Sequence, residues 1–169
     1  MANLEPLIQS IPVAPLKLAS LEGCRTLADQ VNNYLVSFRH ESPTNVGQAD
    51  SLQGYCADSY LLECECPRFG SGEGKGVLKE SVRGCDLFIM VDVTNYSLTY
   101  RVNGYENHMS PDNHYQDLKR IISAADGKAR RINVIMPFLY EGRQHKRSKR
   151  ESLDCALMLQ ELVDMGVSN

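Results

Sequence analysis

No apolar run in this chain approaches the length of a membrane span, which excludes a transmembrane helix. The opening MANLEPLIQSIPVAPL has neither a basic n-region nor a long apolar core, so it is not read as a signal peptide. Without an export signal the six cysteines are expected to be reduced thiols in a cytoplasmic protein. Cys64 and Cys66 form C-x-C, but no second Cys or Cys/His pair follows at finger-like spacing. On a strand the two would share one face, so buried thiols are the better reading. No G-x-S-x-G surrounds a serine, which excludes a nucleophile elbow. The glycine-rich GSGEGKG, residues 70–76, fails as a phosphate loop on two counts. Phe69 stands where a Walker A motif begins, and Gly76 stands where Ser or Thr should follow Lys75. It fails G-x-G-x-x-G as well, because Lys75 and Val77 occupy the places of the third glycine. A flexible turn after a strand is what the glycines alone support.

What is present is an ordinary globular composition: 169 residues, 43% hydrophobic and 23% charged, enough for one domain with a real core. The net charge of -3 hides a segregation. Residues 128–150 hold eight cations (Lys128, Arg130, Arg131, Arg143, Lys146, Arg147, Lys149 and Arg150) and a single acid, Glu141. The rest of the chain is left with ten cations against twenty acids. A local anion site on an acidic body follows.

Along the chain, PLKLASL predicts a first strand. EGCRTLADQVNNYLVSF predicts a helix with Cys24, Leu27, Ala28, Val31, Leu35 and Phe38 on one face. Residues 40–55 are polar and turn-rich and read as a surface insertion. SYLLECECPRF predicts a strand with Leu62, Cys64 and Cys66 on one face, and GCDLFIMVDV a strand buried on both sides. Residues 94–109 read as a second, irregular excursion. Ser110-Pro111-Asp112 opens a helix with an N-cap and a first-turn proline. Its stripe is Tyr115, Leu118, Ile121, Ile122 and Ala125, and Gly127 closes it. RINVIMPFL predicts another buried strand. A last helix is expected from near Ser152 to Gly166, with Leu153, Ala156, Leu157 and Leu162 inward. The alternation predicts one α/β domain with an open, mainly parallel sheet flanked by helices on both faces, and no internal repeat. The pattern would next supply a strand at residues 166–169, so the chain is expected to be a truncated part of a longer protein.

Ligands of such sheets sit at the carboxyl ends of strands, and PRFGSGEGKG and YEGRQHKR both leave strands there. The basic segment has three readings: a solvated face, a nucleic-acid surface, or a nucleotide-phosphate site. Arginine at a rigid strand end suits phosphate, because its planar fork directs two hydrogen bonds to phosphate oxygens. Gln144 beside Arg143 adds an amide able to read a base or a ribose. His145 reads as an exposed polar neighbour rather than a base, and His108 and His114 as a surface pair rather than a metal site.

PRFGSGE, KESVRGCDLFIM and NVIMPFLYEGRQHKR, followed by SKRESLDCALMLQELVDMG, resemble the N-terminal half of the ribose-phosphate pyrophosphokinase (phosphoribosyl-pyrophosphate synthase) family. That family carries R-F-x-D-G-E, E-S-V-R-G-x-D-V-F-I and Y-x-x-R-Q-D-(R/K)-K in this order. The resemblance implies a type I phosphoribosyltransferase-like (Rossmann-like) fold and a transferase of nucleotide biosynthesis. Its members move the diphosphoryl group of ATP to ribose 5-phosphate with magnesium, as homo-oligomers whose ATP lies between subunits. It implies that Phe69 stacks on adenine, Glu73 accepts from its amino group, Arg143 and Gln144 hold the nucleotide, and Lys146 is a secondary phosphate contact. Arg83 would organise a loop or subunit contact.

Two departures stand out. Ser71 occupies the place of the family's first acid in the R-F loop, and His145 that of the aspartate after Arg-Gln. The family's magnesium-ligating histidine, flexible loop and ribose-phosphate loop would lie beyond Asn169. No catalytic or metal-binding residue is therefore assigned to this chain, and it is expected to be inactive alone, with ribose 5-phosphate a partner only of the full-length protein. The rival expectations are a non-catalytic regulatory homologue and, from another class, a nucleic-acid-binding module using residues 128–150. No membrane or nucleic-acid partner is expected under the leading reading.

Overall fold

Four strands pair side by side, all in parallel. The computed structural model describes residues 12–41 and 54–169. Its strands are β1 (Leu16–Ser20), β2 (Leu61–Leu62), β3 (Cys64–Glu65), β4 (Val77–Leu78), β5 (Asp86–Met90), β6 (Thr99–Val102), β7 (Tyr105–His108) and β8 (Arg131–Ile135). The helices are α1 (Arg25–Glu41), α2 (Pro111–Ala125) and α3 (Asp154–Asp164). The main sheet has the order β2-β1-β5-β8, while β3-β4 and β6-β7 are separate two-stranded antiparallel hairpins. Parallel neighbours need long crossovers, and α1 (between β1 and β2) and α2 (between β5 and β8) provide them.

Alternation along β5 divides the core into two layers. Leu87, Ile89 and Val91, with Ile132 of β8, pack against Leu118, Ile121 and Ile122 of α2 and Met158 and Leu162 of α3. Met90, with Leu18 of β1, packs on the opposite face against Ala28 of α1 and Cys24. The helices on both faces explain why DLFIM is apolar without alternation. Past α3, Val167 bridges Ile132 in parallel, and Ser168 N donates to Ile132 O at 2.8 Å, so the chain pairs again alongside β8.

The expected start and apolar stripe of α2 are both found. Ser110 Oγ accepts from Asn113 N, Pro111 takes the first turn, and the whole predicted stripe is buried. The left-handed residue at its C-cap is Asp126, at φ 50°, immediately before Gly127. Elsewhere tertiary contacts redrew the pattern. Leu27 of α1 is exposed, and Asn32 is buried in its stead because its Oδ1 accepts from Tyr60 N at 2.8 Å. The inward face of α3 is Cys155, Met158 and Leu162, whereas Leu157 faces solvent. That helix is apolar nearly all round, so periodicity could not select a face. The run RINVIMPFL is strand only through Ile135, and Phe138 and Leu139 are exposed. His114 is no surface residue: it is 2% exposed, with its Nε2 2.7 Å from Asn95 O. Residues 42–53, the bulk of the expected surface insertion, lie outside the described residues.

Candidate functional site

The chain leaves β2 and turns directly into a hairpin that lies over α2. Cys64 pairs with Leu78 and Glu65 with Val77, and an isolated bridge joins Arg68 to Gly74. Phe69 N donates to Glu73 O at 2.7 Å, and Gly72 N to Phe69 O at 2.9 Å. The glycine-rich segment is thus a tight, hydrogen-bonded hairpin tip, not a flexible turn. Gly72 has φ +92°, which a side chain rarely tolerates. The tip displays Phe69, 53% exposed, together with Ser71 and Glu73, whose side chains are joined by Ser71 Oγ donating to Glu73 Oε2 at 2.7 Å. Beneath the tip, Arg68 donates both terminal nitrogens to Asp117 of α2, each at 2.8 Å, and Arg120 donates to the same carboxylate at 2.6 Å. The hairpin is therefore clamped to α2 by a nearly buried, charge-assisted fork.

The Arg-Gln turn is built differently. After β8 the chain runs to Glu141, which is left-handed at φ 54°, and a 3-10 turn over Gly142–Gln144 follows. Gln144 N donates to Glu141 O at 2.8 Å, and the Nδ1–H of His145 donates to Gly142 O, also at 2.8 Å. His145 therefore closes this turn. Arg143 and Lys146 are exposed, Gln144 is half-buried, and among the described residues neither cation has an ion-pair partner. Two other members of the basic segment are spoken for. Arg131 forks onto Asp86 at 2.8 and 2.6 Å, and Lys128 pairs with Asp126. Both precede or begin β8, so the segment's cations are divided between opposite edges of the sheet.

Tyr140 anchors that turn and was not singled out from sequence. Its hydroxyl donates to Asp112 Oδ1 in the first turn of α2 at 2.7 Å, and its ring stacks on Tyr115 at 4.5 Å. Tyr115 in turn donates to Glu161 of α3 at 2.8 Å. Burial, and then the acceptor carboxylates, push both phenols above their ordinary values, so both stay protonated donors.

Within residues 94–109, expected to be an irregular excursion, β6 and β7 form a second regular hairpin over residues 99–108, and only the lead-in at 94–98 is turns. The hairpin tip is Asn103-Gly104, at φ 51° and 85°, the two-residue turn that suits the twist of paired strands. Asn-Gly was the available signal. Asn95 Nδ2 donates to Gly23 O at 3.3 Å, Tyr96 stacks on His108 at 4.3 Å, and His114 receives the loop from below through Asn95 O.

Phe69, Ser71 and Glu73 are therefore one group, and Arg143, Gln144 and Lys146 another. The first sits on the tip of the β3-β4 hairpin, clamped to Asp117 of α2, and the second on the turn after β8, tied to Asp112 of the same helix through Tyr140. Among the described residues no hydrogen bond joins the two groups. Arg83 belongs to neither: it is exposed just before β5, at the amino edge, where Gly84 N donates to Lys128 O. The thiols of Cys64 and Cys66 face the core as expected, pushed up by burial to about 11 and about 12. Among the described residues no three of His, Cys, Asp and Glu converge to ligate a metal, and no helix is long and apolar enough to cross a membrane.

Comparison with known proteins matches residues 16–166 to the N-terminal domain of ribose phosphate pyrophosphokinase. A ribose-phosphate pyrophosphokinase of Corynebacterium ammoniagenes is 29% identical over 155 residues, covering 90% of this chain and 38% of that protein. One from Staphylococcus epidermidis is 27% identical over 110 residues, covering 64% and 30%. The chain thus spans under two fifths of the length of these relatives. Among solved structures, the phosphoribosylpyrophosphate synthetase of Mycobacterium smegmatis superposes with a TM-score of 0.59 at 23% identity, over 90% of this chain and 40% of that one. That likeness supports the fold.

Proposed function

Since this chain belongs to the ribose-phosphate pyrophosphokinase family, as an N-terminal domain of it, we propose that it is the ATP-holding and assembly domain of a ribose-phosphate diphosphokinase. The observation that carries this reading is the Arg143 turn: exposed, hydrogen-bonded into shape, and without an internal counter-charge among the described residues. A fork held on a 3-10 turn at a strand's carboxyl end matches what a phosphate requires. Phe69 and Glu73, presented by the β3-β4 hairpin, fit an adenine: an exposed ring for its face and a carboxylate for its amino group. Arg143 and Gln144 would then hold the nucleotide, with Lys146 as a further phosphate contact.

The two groups stand on different elements with no hydrogen bond between them among the described residues, and in this reading a second copy completes the site, one contributing Phe69 and Glu73 and the other Arg143 and Gln144. The exposed Leu157, Leu159 and Val163 of α3 give such an assembly apolar surface to use. Phosphoryl-transfer chemistry asks chiefly for positioning and cations, so this domain's contribution would be binding rather than bond-making. It is inactive alone in this reading. Magnesium would arrive with ATP, and with no cluster of ligands among the described residues none is assigned to it here. Cytoplasmic location goes with this metabolic role.

Titration with ATP and with single-stranded RNA, each at two salt concentrations, tests the proposal. ATP binding with little RNA affinity is expected. Strong RNA binding that falls steeply with salt, together with no nucleotide affinity, would replace it with the nucleic-acid reading.

A further inference from the structure

The inserted hairpin β6-β7 lies against the hairpin that carries Glu73. Val102 Cγ2 is only 3.1 Å from where a Cβ on Gly72 would stand, and the Tyr100 ring lies 5.2 Å from the Arg68 guanidinium. The two tips therefore touch, and a glycine is required at their contact both by its φ and by Val102. Between them opens a cleft of about 670 Å3. One wall carries Ser71 and Glu73, the other Asn103, Tyr105 and Asn107, and Arg120 also lines it. Phe69 does not line this cleft, and the most exposed ring that does is Tyr105, at 76%.

We propose that the β6-β7 hairpin supplies a second wall of the nucleobase subsite, with Asn103, Tyr105 and Asn107 acting beside Glu73 as determinants of base specificity. This rests on the nucleotide-binding reading above and adds to it residues of a different hairpin. The chemistry of the cleft is that of a base edge. A carboxylate accepts from an exocyclic amino group, whereas it repels a carbonyl oxygen in the same place. A carboxamide offers one donor and one acceptor, the pair that an adenine edge answers. Tyr105 brings a broad apolar face with few rotatable bonds, suited to a flat heterocycle. Arg120 is already engaged by Asp117, so the cleft does not present a free cation for phosphate. Its preference is therefore for the base end of a nucleotide and, with the six position of a purine toward Glu73, for adenine, whose amino group stands there, over guanine, whose oxygen does.

The ligand is the same in cis or in trans, because the cleft's two walls belong to one chain. A copy of this chain that carries phosphate on its Arg143 turn can offer the base to the cleft of its neighbour.

The test uses the 169-residue chain with three probes: ATP, GTP and inorganic tripolyphosphate, which has no base. The double variant Tyr105→Ala/Asn107→Ala is expected to bind ATP roughly tenfold more weakly, to lose the preference of ATP over GTP, and to bind tripolyphosphate as the parent does. Asn103→Gly keeps a residue that tolerates the left-handed turn while deleting the amide, and is expected to lower the ATP/GTP ratio with the hairpin intact. Unchanged ATP and GTP affinities in both variants would overturn the inference. The broader reading would survive that result if Arg143→Ala still weakened ATP. Equal losses for ATP and tripolyphosphate would also overturn it, since the hairpin would then act on phosphate or on folding. Absence of any ATP binding by the parent chain would sink both.

Discussion

Arg68 and Asp117 meet end to end, each guanidinium nitrogen 2.8 Å from its own carboxylate oxygen, with 9% and 5% of the two side chains exposed. Forty-nine residues separate them in sequence, and their contact fixes the pose of the hairpin that presents Phe69 and Glu73. Asp117→Ala would strand two cations, Arg68 and Arg120, in a poorly solvated place. A loss of roughly 3–5 kcal/mol in urea unfolding is expected, because removing one partner of a buried pair leaves the other uncompensated. Arg68→Met should cost less, since its apolar chain fills the same volume and Arg120 still serves Asp117. A cost for Asp117→Ala no larger than that of an exposed pair, about 1 kcal/mol or less, would refute the clamp.

Gly76 is required by a close approach rather than by its backbone angle. A Cβ there would overlap the Arg120 carbonyl oxygen and stand 2.9 Å from Ile121 N, both of them backbone atoms of α2 that cannot rotate away. Gly76→Ala should push β4 off the helix and cost roughly 1–3 kcal/mol, read from the denaturant midpoint. Gly70→Ala, with nothing within 4 Å of its Cβ, is the matched control and should be nearly silent.

The Arg143 turn predicts a charge effect. Arg143→Ala should weaken ATP binding by roughly 1–3 kcal/mol, measured by calorimetry, while leaving stability unchanged because no internal partner is lost among the described residues. Unaltered ATP affinity would remove Arg143 from the site.

Tyr140 ties this turn to α2. Tyr140→Phe keeps the ring stacked on Tyr115 and deletes only the hydroxyl bond to Asp112, so a stability loss of about 1 kcal/mol is expected. In a double-mutant cycle, Asp112→Asn should cost little further once Tyr140 is phenylalanine. Full additivity would mean the bond contributes nothing.

Three thiols give the chain a pH dependence. Burial raises Cys24 and Cys64 from 9.0 to about 11 and, with the Asp117 charge acting next, Cys66 to about 12. A raised thiol pKa means that the folded state holds its proton longer than the unfolded chain does. The associated stability is therefore complete below pH 9 and is lost as pH rises from there toward about 11–12. Urea midpoints should be flat in this respect between pH 7 and 8 and decline by pH 10. Cys64→Ala/Cys66→Ala should show a shallower decline than the parent, and an equal slope would exclude these thiols as its cause. Aromatic disulfide reagents should modify Cys64 and Cys66 far more slowly in the native chain than in urea.

How much of this could be read along the chain depends on the range of the signal. The strand β5, the N-cap and proline of α2 and the α2 stripe were legible because each depends on residues within a turn or two of one another. The order of R-F, E-S-V-R-G and R-Q motifs pointed to the family for a different reason: exact residue types at fixed spacing are specific in combination. The inward face of α3 was not legible, since Leu157, Leu159 and Val163 are as apolar as the residues that are buried. Nor was the burial of His114, which depends on a carbonyl nineteen residues away.

The amino-acid sequence by itself determined the three helices and the strands of the main sheet, their α/β alternation and the chemical kinds of side chain in the two motifs, because propensity, capping and apolar period are local energies. Only the tertiary structure decided that Phe69 and Glu73 sit on a hairpin laid over α2, and that Arg143 and Gln144 sit on a turn tied to the same helix through Tyr140. It alone made Asp117 the clamp under the first group and laid the β6-β7 hairpin beside it, Val102 against Gly72. These are outcomes of pairing between distant segments, where the gain of burying and satisfying polar groups must exceed the entropy of closing long loops. No window of neighbouring residues contains that balance.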